Sequence, residues 1–415
     1  MKRLLLSALV LFCITPLLIF PQNRNSKEFL PGADILIREN LTLIKGKQIG
    51  VVTNHTALLK NGTLLADSLA HIPGINIKAL FSPEHGIRGN EEAGAGVKDG
   101  RDPVTGIRVI SLYGKNYKPR HEDLEGIDLL LFDIQDIGAR YFTYISTLYY
   151  TIESCAENKL PLIVLDRPNP VAPLKTDGPV TENKFRSFIA VAPIPVIHGM
   201  TVGELALLFN SIIEKEKGVK CEIKVIKMSN WDRKHFLDYY SPFWVKPSPN
   251  MASLETAVIY GGTCLIEGTN VSEGRGTGAP FLTIGAPFIN SAMLIKELQK
   301  EKIEGVRFLP AEFTPADIPG TATNPKYKNE LCRGISIKIT DRNKVEPLKL
   351  GVKLIYALKK LYPQFGFKDR TIDNLFGASY LREMINKGGK PEKIFLRWQK
   401  ELNNFINLKK KFLLY

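Results

Sequence analysis

Five short apolar runs recur along the first part of the chain, at residues 46–53, 75–81, 107–112, 127–132 and 160–165. They are rich in leucine or β-branched residues and almost continuously apolar, which is typical of strands buried on both faces. Segments with helical spacing lie between them, at 64–72 and 146–158. The sequence therefore predicts an α/β fold whose mostly parallel sheet carries helices on both faces.

Polar clusters directly follow four of these runs. In order, they are Asn54-His55, Glu84-His85, Asp133-Ile-Gln135-Asp136 and Asp166-Arg167-Pro-Asn169. Because parallel strands place their carboxyl ends at one edge of the sheet, we expect the clusters to converge there. Helix capping would explain any single cluster, since Asp and Asn are favoured caps. Capping alone does not explain the His, Arg and Gln residues, so this edge is the predicted functional site.

The second cluster lies in a loop whose backbone is strongly shaped. Pro83 fixes one backbone angle, whereas Gly86 and Gly89 permit conformations that other residues resist. The loop presents Glu84 and His85, and we predict that Glu84 is catalytic. From this segment alone, an ordinary turn with a solvated Glu and a structurally bonded His remains the alternative.

Several classes of enzyme are excluded by missing motifs. No G-x-G-x-x-G follows the first run, and Gly94-Ala-Gly96 lies in an acidic loop, so we expect no nicotinamide or flavin cofactor. The sequence has no G-x-S-x-G element and no His or Cys spacing typical of a metal site, so we expect no bound metal. Acid–base chemistry by carboxylates on a hydroxyl-rich substrate is the most economical hypothesis that remains.

The composition changes at residues 244–250, where Pro, Ser and Asn cluster, and we place a domain boundary after residue 246. Beyond it, residues 265–278 form a loop dense in Gly, Thr and charge. Its backbone amides and Arg275 are suited to an anion or a sugar hydroxyl. A glycine-rich hairpin without a ligand is the alternative. Before the boundary, Thr201 and Glu204 match a capping box at the start of a helix, so Glu204 is interpreted as structural.

The N-terminus has a basic start, an apolar stretch from Leu4 to Phe20 and a polar exit. This pattern predicts a secretory signal at residues 1–22 and an exported protein, periplasmic or secreted. An uncleaved anchor is the alternative, since no clean cleavage site is visible. Phe12 before Cys13 disfavours a lipoprotein. The four later cysteines show no metal spacing and are interpreted as buried free thiols, although a disulfide is not excluded.

The formal net charge of +14 favours an anionic partner or surface. The basic residues are dispersed and no nucleic-acid motif is present, so together with the predicted export we expect no nucleic-acid partner. No later segment has the length and apolarity of a membrane span. Cell-wall polymers are anionic and suit the predicted compartment. The oligomeric state is left open.

Seven blocks, taken together, resemble the NamZ-type exo-β-N-acetylmuramidases, an exported bacterial family. The blocks occur at residues 81–89, 111–114, 132–141, 165–170, 198–201, 247–251 and 267–277. The first reads Phe-Ser-Pro-Glu-His-Gly-Ile-Arg-Gly and the last Glu-Gly-Thr-Asn-Val-Ser-Glu-Gly-Arg-Gly-Thr. The resemblance runs in order from about the first strand to the final residues. One departure is Val171-Ala172, where many relatives have Gly-Gly.

The resemblance implies a glycoside hydrolase that removes N-acetylmuramic acid from the non-reducing end of peptidoglycan fragments such as MurNAc-GlcNAc. It also implies a Rossmann-like first domain, residues 23–246, and a smaller α+β domain, residues 247–415, that closes a cleft. The family's proposed catalytic glutamate falls on Glu84. A non-catalytic muropeptide-binding protein is the alternative, and an esterase or amidase on wall fragments is a further one.

Roles for the other residues follow from that implied substrate. Glu84 would be the acid, tuned by His85 or His55. Asp133, Asp136 or Glu273 would act as base or nucleophile, unless the substrate's own acetamido group attacks. Arg88, Arg140 or Arg275 would bind the lactyl carboxylate of muramic acid. The remaining predicted contacts to substrate are Asn54, His55, Gln135, Tyr141, Asp166, Arg167, His198, Asn250, Glu267 and Asn270.

Overall fold

The structure is a computed structural model that describes residues 28–92 and 94–415. The predicted signal sequence, residues 1–22, lies outside the described residues. No helix in the described part of the chain is long and apolar enough to cross a membrane. Cys155, Cys221, Cys264 and Cys332 are buried and free, as the sequence predicted.

A seven-stranded sheet forms the first part of the molecule. Its strands are β1 (Gln48–Thr53), β2 (Asn76–Ser82), β3 (Gly100–Arg101), β4 (Arg108–Ser111), β5 (Leu129–Asp133), β6 (Leu162–Leu165) and β7 (Ile223–Ile226). The strand order is β3-β4-β2-β1-β5-β6-β7. All neighbours pair in parallel except β3 and β4, which are antiparallel. This confirms the predicted mostly parallel sheet.

Helices cover both faces of this sheet. They are α1 (Gly32–Glu39), α2 (Leu65–Ala70), α3 (His121–Leu124), α4 (Tyr144–Glu157) and α5 (Val202–Lys217). Successive side chains of a strand point to opposite faces of the sheet and belong to two separate hydrophobic cores. Val51 and Leu131 pack with α1 and α2, whereas Val52 and Phe132 pack with α4 and α5. The helix α5 begins with the predicted capping box of Thr201 and Glu204.

The second part of the chain is α+β. Its helices are α6 (Leu254–Thr263), α7 (Ser291–Lys300), α8 (Pro347–Leu361), α9 (Asp369–Phe376), α10 (Tyr380–Asn386) and α11 (Pro391–Lys409). Its antiparallel sheet consists of β8 (Thr283–Ala286), β9 (Val306–Phe313) and β10 (Cys332–Ile339). The strand order is β8-β10-β9. The core beneath α4 and α5 continues into α8 and α11 through Leu348 and Trp398. The domain boundary after residue 246 stays a proposal.

The order of the central strands brings the four polar clusters side by side. Strands β2, β1, β5 and β6 are consecutive neighbours and run in parallel. Their carboxyl ends therefore form one edge, here called the carboxyl edge. Residues 54–55, 84–85, 133–136 and 166–169 follow these strands along that edge, as the sequence predicted.

Candidate active site

The loop that follows β2 turns sharply at His85. Its φ angle is 73°, and Gly86 and Gly89 both have φ angles of 77°. A left-handed conformation is unfavourable for a residue with a Cβ atom, so the surroundings must hold His85 in place. Its ring is buried, and Nδ1 lies 2.8 Å from the carbonyl oxygen of Glu91. Because of this turn, the adjacent side chains of Glu84 and His85 contact different partners.

Glu84 is half-buried, and both of its carboxyl oxygens have hydrogen-bond donors. The backbone N–H of Gly94 donates to Oε1 at 2.8 Å, and the hydroxyl of Thr143 donates to Oε2 at 2.7 Å. Tyr113 lies beside the same carboxylate. Burial raises the pKa of Tyr113, and the charge of Glu84 raises it further, so the phenol stays protonated and available as a donor. These contacts fix a carboxyl group in one orientation at the carboxyl edge.

Two histidines lie near Glu84 with opposite tautomers. His85 must donate from Nδ1, since its partner there is a carbonyl oxygen, whereas His55 must donate from Nε2 to the carbonyl oxygen of Lys246 at 2.8 Å. Burial lowers the pKa of both imidazoles. For His85, the nearby charge of Arg275 lowers the pKa further and Glu84 opposes the shift. Both rings are therefore predominantly neutral at pH 7, and the neutral form of each leaves one ring nitrogen unprotonated.

We expect NMR titration to show this neutrality directly. The ring protons of His55 and His85 should titrate with midpoints below 6.5, the value of an unperturbed histidine, because burial lowers the pKa of both rings. Resonances are assigned from His55→Gln and His85→Gln variants. A midpoint above 6.5 for either ring would contradict the neutral site described above.

Arg88 holds the loop and has no face left for a substrate carboxylate. Its guanidinium donates to both carboxyl oxygens of Asp67, at 2.8 and 2.9 Å, and to both of Asp102, at 2.6 and 2.8 Å. The side chain of Asp102 is fully buried in this contact. These bonds favour a structural role for Arg88 over the predicted binding of the lactyl group.

Asp133 and Arg167 form a buried ion pair at the end of β5. Nε of Arg167 donates to one carboxyl oxygen of Asp133, and Nη2 donates to the other at 2.8 Å. Both terminal nitrogens of Arg167 also donate to the carbonyl oxygen of Leu58 at 3.1 Å. The side chains are 0% and 6% exposed. This bidentate contact occupies both carboxyl oxygens of Asp133 and keeps them away from solvent. The geometry thus opposes Asp133 as base or nucleophile.

Asp136, His198 and Gln135 also satisfy groups of the protein itself. Oδ2 of Asp136 accepts the N–H of Gly138 at 2.7 Å and lies 3.2 Å from Nε2 of the buried His198, while its Oδ1 has no hydrogen-bond partner among the described residues. Gln135 donates to the carbonyl oxygens of Asp136 and Pro168 at 2.7 and 2.6 Å. The structure brings these predicted residues together, but as supports of the carboxyl edge.

Asp166 caps α5 and anchors the end of the chain. It accepts hydrogen bonds from the hydroxyl of Thr201 at 2.9 Å, the N–H of Gly203 at 2.7 Å and the hydroxyl of Tyr415 at 2.8 Å. Burial raises its pKa to about 6 in spite of these donors. Tyr415 also accepts the N–H of Met228 at 2.7 Å. These bonds favour a structural role for Asp166 over the predicted substrate contact.

We expect Tyr415→Phe to lower the free energy of unfolding by about 1–3 kcal/mol. The substitution removes one hydroxyl and leaves a buried carboxyl oxygen of Asp166 and the N–H of Met228 without that partner. Urea denaturation measures the change. Tyr239→Phe is the matched control, because Tyr239 is 65% exposed. Equal stabilities of the two variants would contradict the anchoring role.

Arg140 and Tyr141 are buried within the protein. Arg140 is 1% exposed and donates at 2.7–2.9 Å to three backbone carbonyl groups, those of Pro179, Ile194 and Leu375. Burial lowers its pKa to about 10, so it stays charged at neutral pH. The hydroxyl of Tyr141 donates to the carbonyl oxygen of Gly261 at 2.5 Å. Both side chains tie the first part of the chain to the second, which argues against the predicted substrate contacts.

The glycine-rich loop contains a compact cluster of charged residues. Arg275 donates to Glu267 at 2.7 Å and lies 3.5 Å from Glu273. Lys326 lies 3.0 Å from the other oxygen of Glu273 and donates to three backbone carbonyl groups of residues 266–271. Arg275 also influences the titration of His85, so this cluster faces the loop of Glu84. Within it, Glu273 is neutralised by two cations.

Three predicted asparagines have different surroundings. Asn270 bonds the backbone of Gln364 and Gly366 at 2.8 and 2.9 Å, so it supports a turn. Asn54 accepts from Thr56, but its buried Nδ2 has no partner among the described residues. Asn250 donates to the carbonyl oxygen of Thr321 at 2.7 Å, and its buried Oδ1 likewise lacks a partner in that part of the chain. Asn250 therefore has one buried oxygen without a protein partner in the described residues, whereas Asn54 lies beside the hydroxyl of Tyr144.

The sequence did not reveal the residues that complete this site. Thr143 contacts Glu84 but stands between two aromatic residues in the sequence, and Tyr113 lies in the block 111–114, although no sequence pattern links it to Glu84. Glu92 joins the two parts of the chain, accepting the N–H of Gly320 at 2.9 Å and the hydroxyl of Thr323. Within the described residues, no group of three His, Cys, Asp or Glu side chains is placed to hold a metal ion. The arrangement suits proton transfer by Glu84.

Two family models together match nearly all of the described chain. The N-terminal model of the exo-β-N-acetylmuramidase NamZ matches residues 49–255, and the C-terminal model of the same family matches residues 258–415. The peptidoglycan β-N-acetylmuramidase NamZ of Bacillus subtilis (strain 168) is 42% identical over 418 residues, covering 99% of this chain and 98% of that protein.

Solved structures show the same fold. Two crystal structures of DUF1343 family proteins from Bacteroides fragilis NCTC 9343 match with TM-scores of 0.85 and 0.76 and sequence identities of 32% and 31%. Each match covers 94% of this chain and 99% of the other. The resemblance found in the seven sequence blocks is thus confirmed over the full length, and the chain belongs to the NamZ exo-β-N-acetylmuramidase family.

Proposed function

We propose that this protein is an exo-acting glycoside hydrolase that releases N-acetylmuramic acid from the non-reducing end of peptidoglycan fragments. The family assignment supports the activity, and the B. subtilis relative is a peptidoglycan β-N-acetylmuramidase. The observation that carries the assignment of residues is the half-buried carboxyl group of Glu84, held by Gly94 and Thr143 at the carboxyl edge.

Glu84 is our proposed general acid. A glycosidic oxygen must gain a proton as its bond to the anomeric carbon breaks, and a positioned carboxylic acid supplies it. The two donors orient the carboxyl group, and the hydroxyl of Thr143 can rotate to accept a hydrogen bond when Glu84 is protonated. His85 is neutral, because burial lowers its pKa, and so places no positive charge beside Glu84 that would favour loss of the proton.

The second catalytic group is proposed to be the acetamido group of the substrate. Of the carboxylates considered for this role, Asp133 is bound by Arg167, Asp136 by the N–H of Gly138, and Glu273 by Arg275 and Lys326. Asp133 and Glu273 are thus paired with cations, whereas Oδ1 of Asp136 lacks a hydrogen-bond partner among the described residues but belongs to a buried side chain. Attack by the acetamido oxygen requires no second carboxylate as nucleophile and retains the configuration at the anomeric carbon.

Assay of MurNAc-GlcNAc tests the proposed activity. We expect free N-acetylmuramic acid and N-acetylglucosamine as products. Tight binding of the disaccharide without turnover would instead support a muropeptide-binding protein. Products that keep the glycosidic bond would support an esterase or amidase, since glycosidic cleavage alone yields the free amino sugars.

Export is proposed on the basis of the N-terminal sequence. Residues 1–22 have the basic, apolar and polar order of a secretory signal, and the formal net charge of +14 suits contact with anionic wall material. Expression of the whole chain, cell fractionation and N-terminal sequencing test this proposal. An intact N-terminus on the exported protein would favour the anchor, and protein confined to the cytoplasm would contradict export.

A further inference from the structure

The lactyl carboxylate of muramic acid needs a positively charged partner, and the three arginines predicted for it are occupied. Arg88 is bound by two aspartates and Arg140 by three backbone carbonyl groups. Arg275 is neutralised by Glu267 and Glu273. The three predicted arginines are thus committed to the protein, and an uncommitted cation near the loop of Glu84 would suit the lactyl carboxylate better.

A cavity of about 470 Å³ opens beside that loop, between the first and second parts of the chain. The residues that line it include His55, Gly89, Asn90, Lys246, Gly320 and Thr321. Glu92 ties its outer side to the second part of the chain through Gly320 and Thr323. The ring of His55 packs against Gly89 so closely that a Cβ there would lie 2.5 Å from Nδ1. This cavity is thus walled by the same loop that carries Glu84.

Lys246 is placed in this cavity by a fixed backbone. Its carbonyl oxygen accepts the hydrogen bond from His55, and the next carbonyl oxygen, that of Pro247, accepts the hydroxyl of the buried Tyr144 at 2.5 Å. Tyr144 directly follows Thr143, whose hydroxyl donates to Glu84 at 2.7 Å, so this segment lies close to the proposed acid. The side chain of Lys246 is exposed, and no carboxylate in residues 28–92 and 94–415 lies within 4.0 Å of its ammonium group.

We propose that Lys246 binds the lactyl carboxylate of the muramic acid residue and thereby sets the preference for muramic acid over glucosamine. The inference rests on the proposed function for its substrate. An ammonium group on a flexible side chain can reach an anion in a cavity without displacing an existing ion pair.

Most exposed lysines are only solvated, so the test needs a second exposed lysine as a control. Lys98 serves this purpose. It is also exposed and likewise forms no ion pair among the described residues. It lines a different cavity, of about 340 Å³, whose other lining residues include His85, Gly86 and Arg88 of the same loop. A general effect of positive charge near the loop would appear equally in Lys98→Met and Lys246→Met.

Calorimetric binding of N-acetylmuramic acid and of its lactyl methyl ester tests the proposal without requiring turnover. For Lys246→Met we expect the Kd of the free acid to rise about 10- to 100-fold, as loss of a charge-assisted hydrogen bond predicts. The Kd of the ester should change little, Lys246→Arg should recover most of the affinity, and Lys98→Met should resemble the wild type.

The proposal is overturned if Lys246→Met binds the free acid as the wild type does, if it loses the acid and the ester equally, or if Lys98→Met shows the larger loss. It is also overturned if the wild type does not prefer the acid over the ester. Failure of the proposed function has a separate signature, which is wild-type protein that binds the acid but does not cleave MurNAc-GlcNAc.

Discussion

Glu84→Gln should lower the turnover of MurNAc-GlcNAc by about 100- to 10,000-fold, the range that general acid catalysis contributes. Glutamine keeps the size of the side chain and can still accept from Thr143 or Gly94, but it has no proton to transfer to a leaving oxygen. Binding of the disaccharide should therefore persist while kcat falls. Product release measured by chromatography, together with calorimetric binding, separates the two effects.

Glu91→Gln is the matched control for this substitution. Glu91 belongs to the same loop and its side chain is exposed, while only its backbone carbonyl group contacts His85. We expect turnover within about twofold of wild type, as for a surface change away from the chemistry. If Glu84→Gln kept most of the wild-type turnover, or if Glu91→Gln lost as much, Glu84 would not be the acid.

Asp133→Ala should lower the free energy of unfolding by about 3–5 kcal/mol, since removing one partner of a buried ion pair leaves the other charge uncompensated. Arg167 is 6% exposed and would retain only the carbonyl oxygen of Leu58 as a strong partner. Denaturation by urea measures the loss. Asp133→Leu combined with Arg167→Met should recover much of the stability, because apolar replacements of a buried pair are often neutral or stabilising.

This prediction separates two roles for Asp133. A catalytic aspartate would leave a stable but inactive protein, whereas a structural one loses activity only as the folded population falls. If Asp133→Ala unfolded at the wild-type urea concentration and yet released no N-acetylmuramic acid, the structural assignment would be wrong and Asp133 would return as a candidate base.

The sequence predicted the main sheet well because buried parallel strands are nearly continuous apolar runs. The runs ending at Thr53, Phe81 and Leu165 fall within one or two residues of the ends of β1, β2 and β6. Strand β9 was missed, since it is an edge strand that contains Pro310 and is largely exposed. Edge strands have no obligatory apolar pattern, and proline is tolerated in them.

The roles of individual polar residues were harder to predict than their positions. The convergence of the four clusters follows from strand direction alone, and the structure confirms it. Whether a charged side chain is available depends on partners distant in sequence, such as Asp67 for Arg88 and the carbonyl group of Leu375 for Arg140. Lys246, by contrast, lies in a segment that the sequence marked only as a boundary.

The stereochemistry of the released sugar tests the central claim most directly. Proton NMR of MurNAc-GlcNAc during cleavage by the wild-type protein shows which anomer of N-acetylmuramic acid appears first. Glu84 acting with the substrate's acetamido group predicts the β-anomer, followed by slow mutarotation. First appearance of the α-anomer would require a protein base that activates water and would contradict the mechanism, and no release of N-acetylmuramic acid would contradict the proposed function itself.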